Sequence, residues 1–121
     1  RLAGADHMHV NGIANKFSEP DASVIASAQA CREPLFESRA DAIMPVFSSG
    51  QTALQAPATF AALGSTDLIY AAGGGILAHP DGSAGGVTAL REAWEAAMAQ
   101  VPLQSYAQTH PMLARALERF G

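Results

Sequence analysis

With 121 residues the chain has the length of one ordinary domain, and its seven Lys and Arg against eleven Asp and Glu leave a formal net charge of −4. The basic residues are scattered, which removes the electrostatic stripe that nucleic-acid binding needs, and no apolar run approaches the roughly 20 residues of a membrane span. Charged residues make up only 15% of the chain against a usual share of about 25%, so much of it is expected to pack, either as its own core or against a larger body.

The opening RLAGAD reads as a helix end, a turn and a strand start, with no initiator Met. The expectation is that the first half of a larger domain is missing. The first ten residues carry Arg, Asp and two His and no apolar h-region, so no signal peptide is expected. HMHV (7–10) reads as a short strand, and NGIANKFSEP (11–20) as a polar loop. Residues 21–33, DASVIASAQACRE, predict a helix: alanine-rich, acidic at its start and basic near its end, as the helix dipole favours, with Pro34 closing it. Cys31 is the single cysteine, which rules out an internal disulfide, fits a reducing, cytoplasmic compartment and reads as a small packed hydrophobe.

AIMPVFS (42–48) is a second apolar run of strand length. SGQTALQ follows as a loop, and Pro57 suits the first residue of a helix through Leu63, with Gly64 at the left-handed position beyond it. DLIYAA (67–72) is the third strand, and AAGGGILAHPDG a glycine-rich loop. Residues 84–99 form the clearest helix, with Val87, Leu90, Trp94, Ala97 and Met98 as its expected apolar stripe. Pro102 lies beyond it. A last helix is expected over 110–119, with Pro111 in its first turn and Leu113, Ala116, Leu117 and Phe120 on one face; spacing puts Trp94 and Phe120 in the core.

Three strand-loop-helix units, then a further helix, imply parallel strands covered by helices. A (β/α)8 barrel, of which three units make less than half, and a doubly wound sheet both fit. In either, ligands bind beyond the C-terminal ends of the strands. That rule selects three loops: Asn11, Gly12, Asn15 and Lys16 after the first strand; Ser48, Ser49, Gly50 and Gln51 after the second; Gly73, Gly74 and Gly75 after the third. Glycines without a β-carbon let several N–H groups point at one anion, and the loops after the last two barrel strands often share a phosphate. A phosphate between Gly50 and Gly73–Gly74 is the inference; a mere tight turn is the alternative. Lys16 brings a mobile ammonium to the same rim. His7 and His9 share a strand face, with His9 nearer the rim, but no third ligand stands at a metal-site spacing. His79 reads as a loop-holding residue and His110 as a helix-start residue.

GADHMHVNGIANKF, PVFSSG and AAGGGILAHPDGSAGG stand in the order and spacing of the C-terminal barrel of the RuBisCO large-chain family, and the tail VPLQSYAQTHPMLARAL also resembles the end of that domain. The resemblance covers essentially the whole chain. It implies an α/β fold, the C-terminal part of a (β/α)8 TIM barrel with about strands six to eight, their helices and a C-terminal helix; the N-terminal domain and first strands lie outside residues 1–121. It implies a homodimer with sites between subunits, phosphorylated sugars as ligands, Mg²⁺ and an enediolate. Lys16 matches the lysine of the mobile loop that closes over substrate. His9 matches a histidine near the second phosphate end, and Ser48 a serine on a substrate hydroxyl. Gly50, Gly73 and Gly74 match glycines whose N–H groups bind one phosphate. The family's metal ligands, carbamylated lysine and usual base lie upstream of Arg1, so a 121-residue chain alone is expected to be inactive.

The departures matter. The carboxylases' mobile loop resembles Gly-Thr-Val-Val-Gly-Lys-Leu-Glu-Gly-Glu, whereas here Asn15 precedes the lysine and the acidic residue after Leu is lost. Ser-Gly-Gly after strand seven has become Ser48-Ser49-Gly50. These changes resemble the RuBisCO-like branch rather than CO2 fixation. HVNGIANKF is most similar to enzymes acting on 3-oxo-isoapionate 4-phosphate, by decarboxylation or transcarboxylation/hydrolysis. A methionine-salvage enolase or isomerase, or a non-catalytic phosphate-binding fragment, is the alternative.

Overall fold

The computed structural model describes residues 2–121. Three short parallel strands, β1 (His7–His9), β2 (Met44–Phe47) and β3 (Ile69–Tyr70), form one sheet in the order β1-β2-β3. His9 pairs with Val46, and Val46 in turn with Ile69, so all three strands end on the same side. Backbone bonds extend the ladder beyond the strands proper, from Val10 N–H to Val46 O at 3.1 Å and from Ala71 N–H to Phe47 O at 2.8 Å.

Each strand leads to a helix, as the apolar runs predict. Helix α1 (Asp21–Arg32) carries Asp21 in its first turn and Arg32 in its last, and buries Val24, Ala28 and Cys31. It ends one residue before the expected boundary because Pro34 forces Glu33 into an extended conformation, at φ −75° and ψ 126°. Helix α2 (Ala56–Leu63) starts after a short 3₁₀ turn whose Thr52 and Gln55 form a capping box, and stops at Gly64, which adopts φ 64° and returns its N–H to Phe60 O at 2.7 Å. Arg32 Nη1 donates to Leu63 O at 3.2 Å, so the end of α1 caps the end of α2. None of the helices is long and apolar enough to cross a membrane.

The region after β3 differs from expectation. Gly73–Leu77 is a short helix, α3, not a loop. Helix α4 (Gly82–Met98) begins two residues early, helix α5 (Leu103–Ala107) follows Pro102, and α6 (Pro111–Phe120) closes the chain. The expected stripe on α4 is also corrected. Val87 is 54% exposed and Met98 49%, and the buried face is Gly85, Gly86, Ala89, Ala93, Ala96 and Ala97. Small side chains win because neighbours press close: a β-carbon on Gly86 would sit 2.7 Å from Ile76 Cα. Trp94 and Phe120, expected in the core, are half-buried at its margin, with Trp94 edge-on to Tyr70 at 5.3 Å and to Phe60 at 6.5 Å.

Two apolar clusters hold this arrangement. Val10, Phe47, Val24, Ala28, Cys31 and Leu63 join the sheet to α1 and α2. Ala53, Ala56, Ala89, Ala93, Ala96, Leu103, Leu113 and Ala116 join α4 to its neighbours on the other side. Buried Glu92 accepts the Leu113 N–H at 3.0 Å, supplying an acceptor to the open N-terminus of α6.

Candidate functional site at the rim of the sheet

Parallel register carries the segments after β1, β2 and β3 to one rim. His9 and Ser48 meet there, with Nδ1 and Oγ 3.1 Å apart. His7, on the same strand, takes no part in that pair. Lys16 meets Gly50: its N–H donates to Ser49 O at 3.0 Å, and a β-carbon on Gly50 would touch Lys16 Cβ at 3.4 Å. Gly50 itself adopts φ +90°, which a side chain would strain. The Lys16 ammonium lies 5.1 Å from the centroid of the exposed Phe17 ring.

Gly73, Gly74 and Gly75 open α3, ahead of its first intrahelical bond from Ile76 N–H to Ala72 O at 2.8 Å. Their amides thus belong to the donors a helix leaves without an internal acceptor. A β-carbon on Gly73 or Gly74 would meet no heavy atom within 4 Å, whereas one on Gly75 would lie 2.7 Å from Gln51 O and 2.9 Å from Thr52 Cα. Gly75 seats the helix against the segment that follows Gly50. The three expected loops do converge, the third through Gly75.

Several polar residues that the sequence reading left without a role build this rim. Gln51 is 1% exposed and donates Nε2 to Ile13 O at 3.1 Å. Tyr70 donates its hydroxyl to Thr52 O at 2.8 Å, and burial pushes that phenol well above its usual range. Asn11 donates to Glu19 Oε2 at 2.5 Å and accepts from Ser49 Oγ at 2.6 Å. The bonds from Asn11 and then Ser23 hold the Glu19 carboxyl below its ordinary value. Such residues carry no periodic signal; the departures at Asn15 and Ser49 were the available clue.

The remaining histidines lie elsewhere. Buried His79 accepts the Asp81 N–H at Nδ1, 3.1 Å, which leaves Nε2 to donate to Met112 O at 2.9 Å, so it ties the turn before α4 to α6. His110 precedes α6 and stacks on Tyr106 with ring centroids 3.9 Å apart. Among the described residues no three His, Cys, Asp or Glu side chains come together to hold a metal ion. The donor set of these residues therefore does not fit a magnesium site.

A parallel sheet with a covering helix after each strand, and a lysine and glycine amides on its C-terminal rim, is an α/β architecture consistent with the C-terminal part of a (β/α)8 barrel. The chain belongs to the RuBisCO large-chain family, whose model for the ribulose bisphosphate carboxylase large chain, catalytic domain, matches residues 1–120. It is 57% identical over 117 residues to a 3-oxo-isoapionate-4-phosphate transcarboxylase/hydrolase of Xanthobacter autotrophicus, covering 97% of this chain and 28% of that protein. It is 49% identical to a 3-oxo-isoapionate-4-phosphate decarboxylase of Rhizobium rhizogenes, covering 100% of this chain and 29% of that protein. The crystal structure of a rubisco-like protein from Burkholderia fungorum superposes with a TM-score of 0.95 at 55% identity, over 98% of this chain and 30% of that one. The chain thus spans less than a third of the length of the relatives it matches.

Proposed function

We propose that these residues are the phosphate-anchoring and lysine-bearing part of a RuBisCO-like enzyme that acts on 3-oxo-isoapionate 4-phosphate or a close phosphorylated sugar acid. The observation that carries the reading is the docking of Lys16 on Gly50, through the 3.0 Å bond to Ser49 O and the 3.4 Å approach of its Cβ. It brings the backbone and the root of the Lys16 side chain beside a left-handed glycine on the rim. The names of the two relatives supply the substrate, and one of them a decarboxylation.

The chemistry follows from the substrate class. A 3-oxo acid carries its ketone one carbon away from the carboxylate-bearing carbon. Cleavage of the bond to the carboxylate sends its electron pair toward the ketone oxygen as an enolate, CO2 leaves, and the enolate carbon takes a proton in its place. Gly50, Gly73 and Gly74 hold the phosphate through backbone N–H groups, which fixes the sugar acid along the rim. Ser48, steadied by His9, takes a substrate hydroxyl. The Lys16 ammonium reaches the place where negative charge develops and stabilises it electrostatically. Magnesium, which the family resemblance implies, would be held by residues beyond this chain, in a full-length homodimer of the cytoplasm.

The test uses the full-length protein, with 3-oxo-isoapionate 4-phosphate as substrate and a methionine-salvage sugar phosphate as comparison. Turnover of the first, with Lys16→Met lowering kcat on the order of 10²–10³-fold, is expected. Wild-type turnover by Lys16→Met removes Lys16 from the mechanism, and turnover of the comparison compound alone overturns the substrate assignment.

A further inference from the structure

Side chains on the rim form one continuous hydrogen-bonded series, and its protons have a single consistent arrangement. At the far end Glu19 accepts from Ser23 Oγ at 2.7 Å and from Asn11 Nδ2 at 2.5 Å. A carboxylate can only accept, and these bonds favour that form, so the amide nitrogen of Asn11 faces Glu19 and its oxygen faces the other way. Ser49 Oγ donates to that oxygen at 2.6 Å. A hydroxyl has one proton, and Ser49 has now used it. The contact of 3.4 Å between Ser48 and Ser49, long for two hydroxyls, can therefore run only from Ser48 to Ser49. Ser48 has then used its own proton, and it accepts from His9 Nδ1 at 3.1 Å. A neutral His9 thus carries its proton on Nδ1, and Nε2 holds the lone pair.

The series rests on the two ends of the Lys16 loop and not on the position of its lysine. Asn11 is tied to the end of β2, since its carbonyl accepts the Ser48 N–H at 3.1 Å. Ser23, which holds Glu19, belongs to α1. Asn11 and Ser49 both keep a left-handed backbone, at φ 60° and 69°, which persists only where the surroundings enforce it.

We propose that His9 is the proton donor to the enolate carbon, with Asn11 and Ser49 as positioning residues that act on it through Ser48. This deepens the reading above and rests on it. The substrate named for the two relatives carries one phosphate, on C4; its ketone is C3, and the carboxylate leaves from C2. With that phosphate on Gly50, Gly73 and Gly74, at the ends of β2 and β3, no second phosphate is left for His9. Ser48 accepts a substrate hydroxyl with its remaining lone pair, which runs the sugar acid along the rim toward β1 and brings C2 to His9. The step balances. After CO2 leaves, the enolate electron pair takes the proton from His9 Nε2, a C–H bond forms as the N–H bond breaks, and the ketone is restored. The imidazole gives up its charge and ends neutral with its remaining proton on Nδ1, the form that Ser48 is set to accept. Water returns the proton before the next turnover.

The test uses the full-length protein. His9→Asn keeps a donor toward Ser48 and removes Nε2. With 3-oxo-isoapionate 4-phosphate it is expected to lower kcat on the order of 100-fold, with KM within about threefold and the melting temperature unchanged. Single turnovers stopped in deuterated acid separate the steps. The wild-type product should carry protium at C2, and the His9→Asn product mainly deuterium, because its enolate waits for the acid. A rise in KM with kcat kept marks a residue that only binds, and a fall in kcat without deuterium marks slower cleavage; either overturns the proposal. A second arm needs no substrate. With ¹⁵N-labelled histidine at about pH 8.5, where imidazole is neutral, the His9 resonances should place the proton on Nδ1 in the wild type and move it toward Nε2 in Ser49→Ala, whose Ser48 is released to donate. A proton on Nε2 in the wild type, or no change in Ser49→Ala, overturns the positioning series. The substrate reading fails separately, by absence of wild-type turnover.

Discussion

Gly75 and Gln51 approach so closely that a β-carbon on the glycine would stand 2.7 Å from the glutamine carbonyl oxygen. This contact seats α3 on the segment after β2, and it is why a run of three glycines forms a helix at all. Each glycine carries a helix penalty of about 1 kcal/mol relative to alanine. The packing of Gly75 on residues 51–52, and of Gly86 on Ile76, offsets that penalty from outside the helix.

The three glycines should therefore part company under substitution. Gly75→Ala drives a methyl into backbone atoms that cannot rotate away and is expected to destabilise the protein by about 1–3 kcal/mol. Gly74→Ala enters open space in a helical segment and is expected to leave stability unchanged or raise it by up to about 1 kcal/mol. If the Gly74 amide faces the substrate phosphate, the same methyl crowds the ligand, and KM should rise about tenfold. Thermal melts and steady-state kinetics on the two variants read these effects separately. An unchanged KM in Gly74→Ala would remove that amide from the phosphate site.

Glu92 offers a test of how the helical half is held. Its buried carboxylate accepts the Leu113 N–H near the start of α6. Glu92→Ala leaves that donor without its partner and opens a cavity beside the Leu113 and Ala116 cluster, so a loss of about 2–3 kcal/mol is expected. Glu92→Gln keeps an acceptor at the same place and should recover at least half of it. Equal melting temperatures for the two variants would show that the acceptor is not what matters.

Much of this fold was legible because its punctuation is chemical. Pro34 stops α1, Gly64 stops α2, and continuous apolar runs mark the three strands. The rule that parallel α/β folds bind ligands at strand ends was enough to select Lys16, Ser48 and Gly50, with His9 on the strand leading to the same rim, and these form two pairs that meet in space. What escaped depends on tertiary packing. Helix α3 has no local reason to exist, and α4 turns its small residues inward because backbones approach it, not because they are its most apolar face. Asn11, Asn15 and Gln51 fell within the selected loops, but the bonds they make, and the partner Glu19, stayed unseen for a related reason: a polar side chain in a loop looks the same whether it faces water or, like Asn15, satisfies four buried bonds.

The Glu19 carboxyl gives the rim a pH dependence of known sign. Hydrogen bonds from Asn11 and Ser23 lower its pKa in the folded protein, so the stabilisation it contributes is present above the unfolded value of roughly 4.3 and is lost as pH falls through the folded value. Melting temperature should therefore decline below about pH 4, in part through Glu19. Glu19→Gln removes this titration, and its melting temperature should fall less steeply than wild type over the same range. Parallel acid limbs for the two proteins would show that Glu19 does not link the rim to pH.

The sheet makes a further prediction about residues 2–121 taken alone. β1 and β3 are both edge strands, with Met8 43% exposed and Ile69 38%. Each offers an unpaired ladder of N–H and C=O groups beside apolar side chains, which is the usual template for association with another chain. Leu35, Phe36 and Leu77 add exposed apolar surface at other points. A polypeptide of these residues is expected to melt broadly, bind a hydrophobic dye before melting and associate as concentration rises, while the full-length protein gives a sharp transition. Calorimetry with light scattering on both decides it. A sharp two-state transition of the short polypeptide, independent of concentration, would mean that three strands and their helices suffice as a folding unit, with the edges protected by their shortness alone.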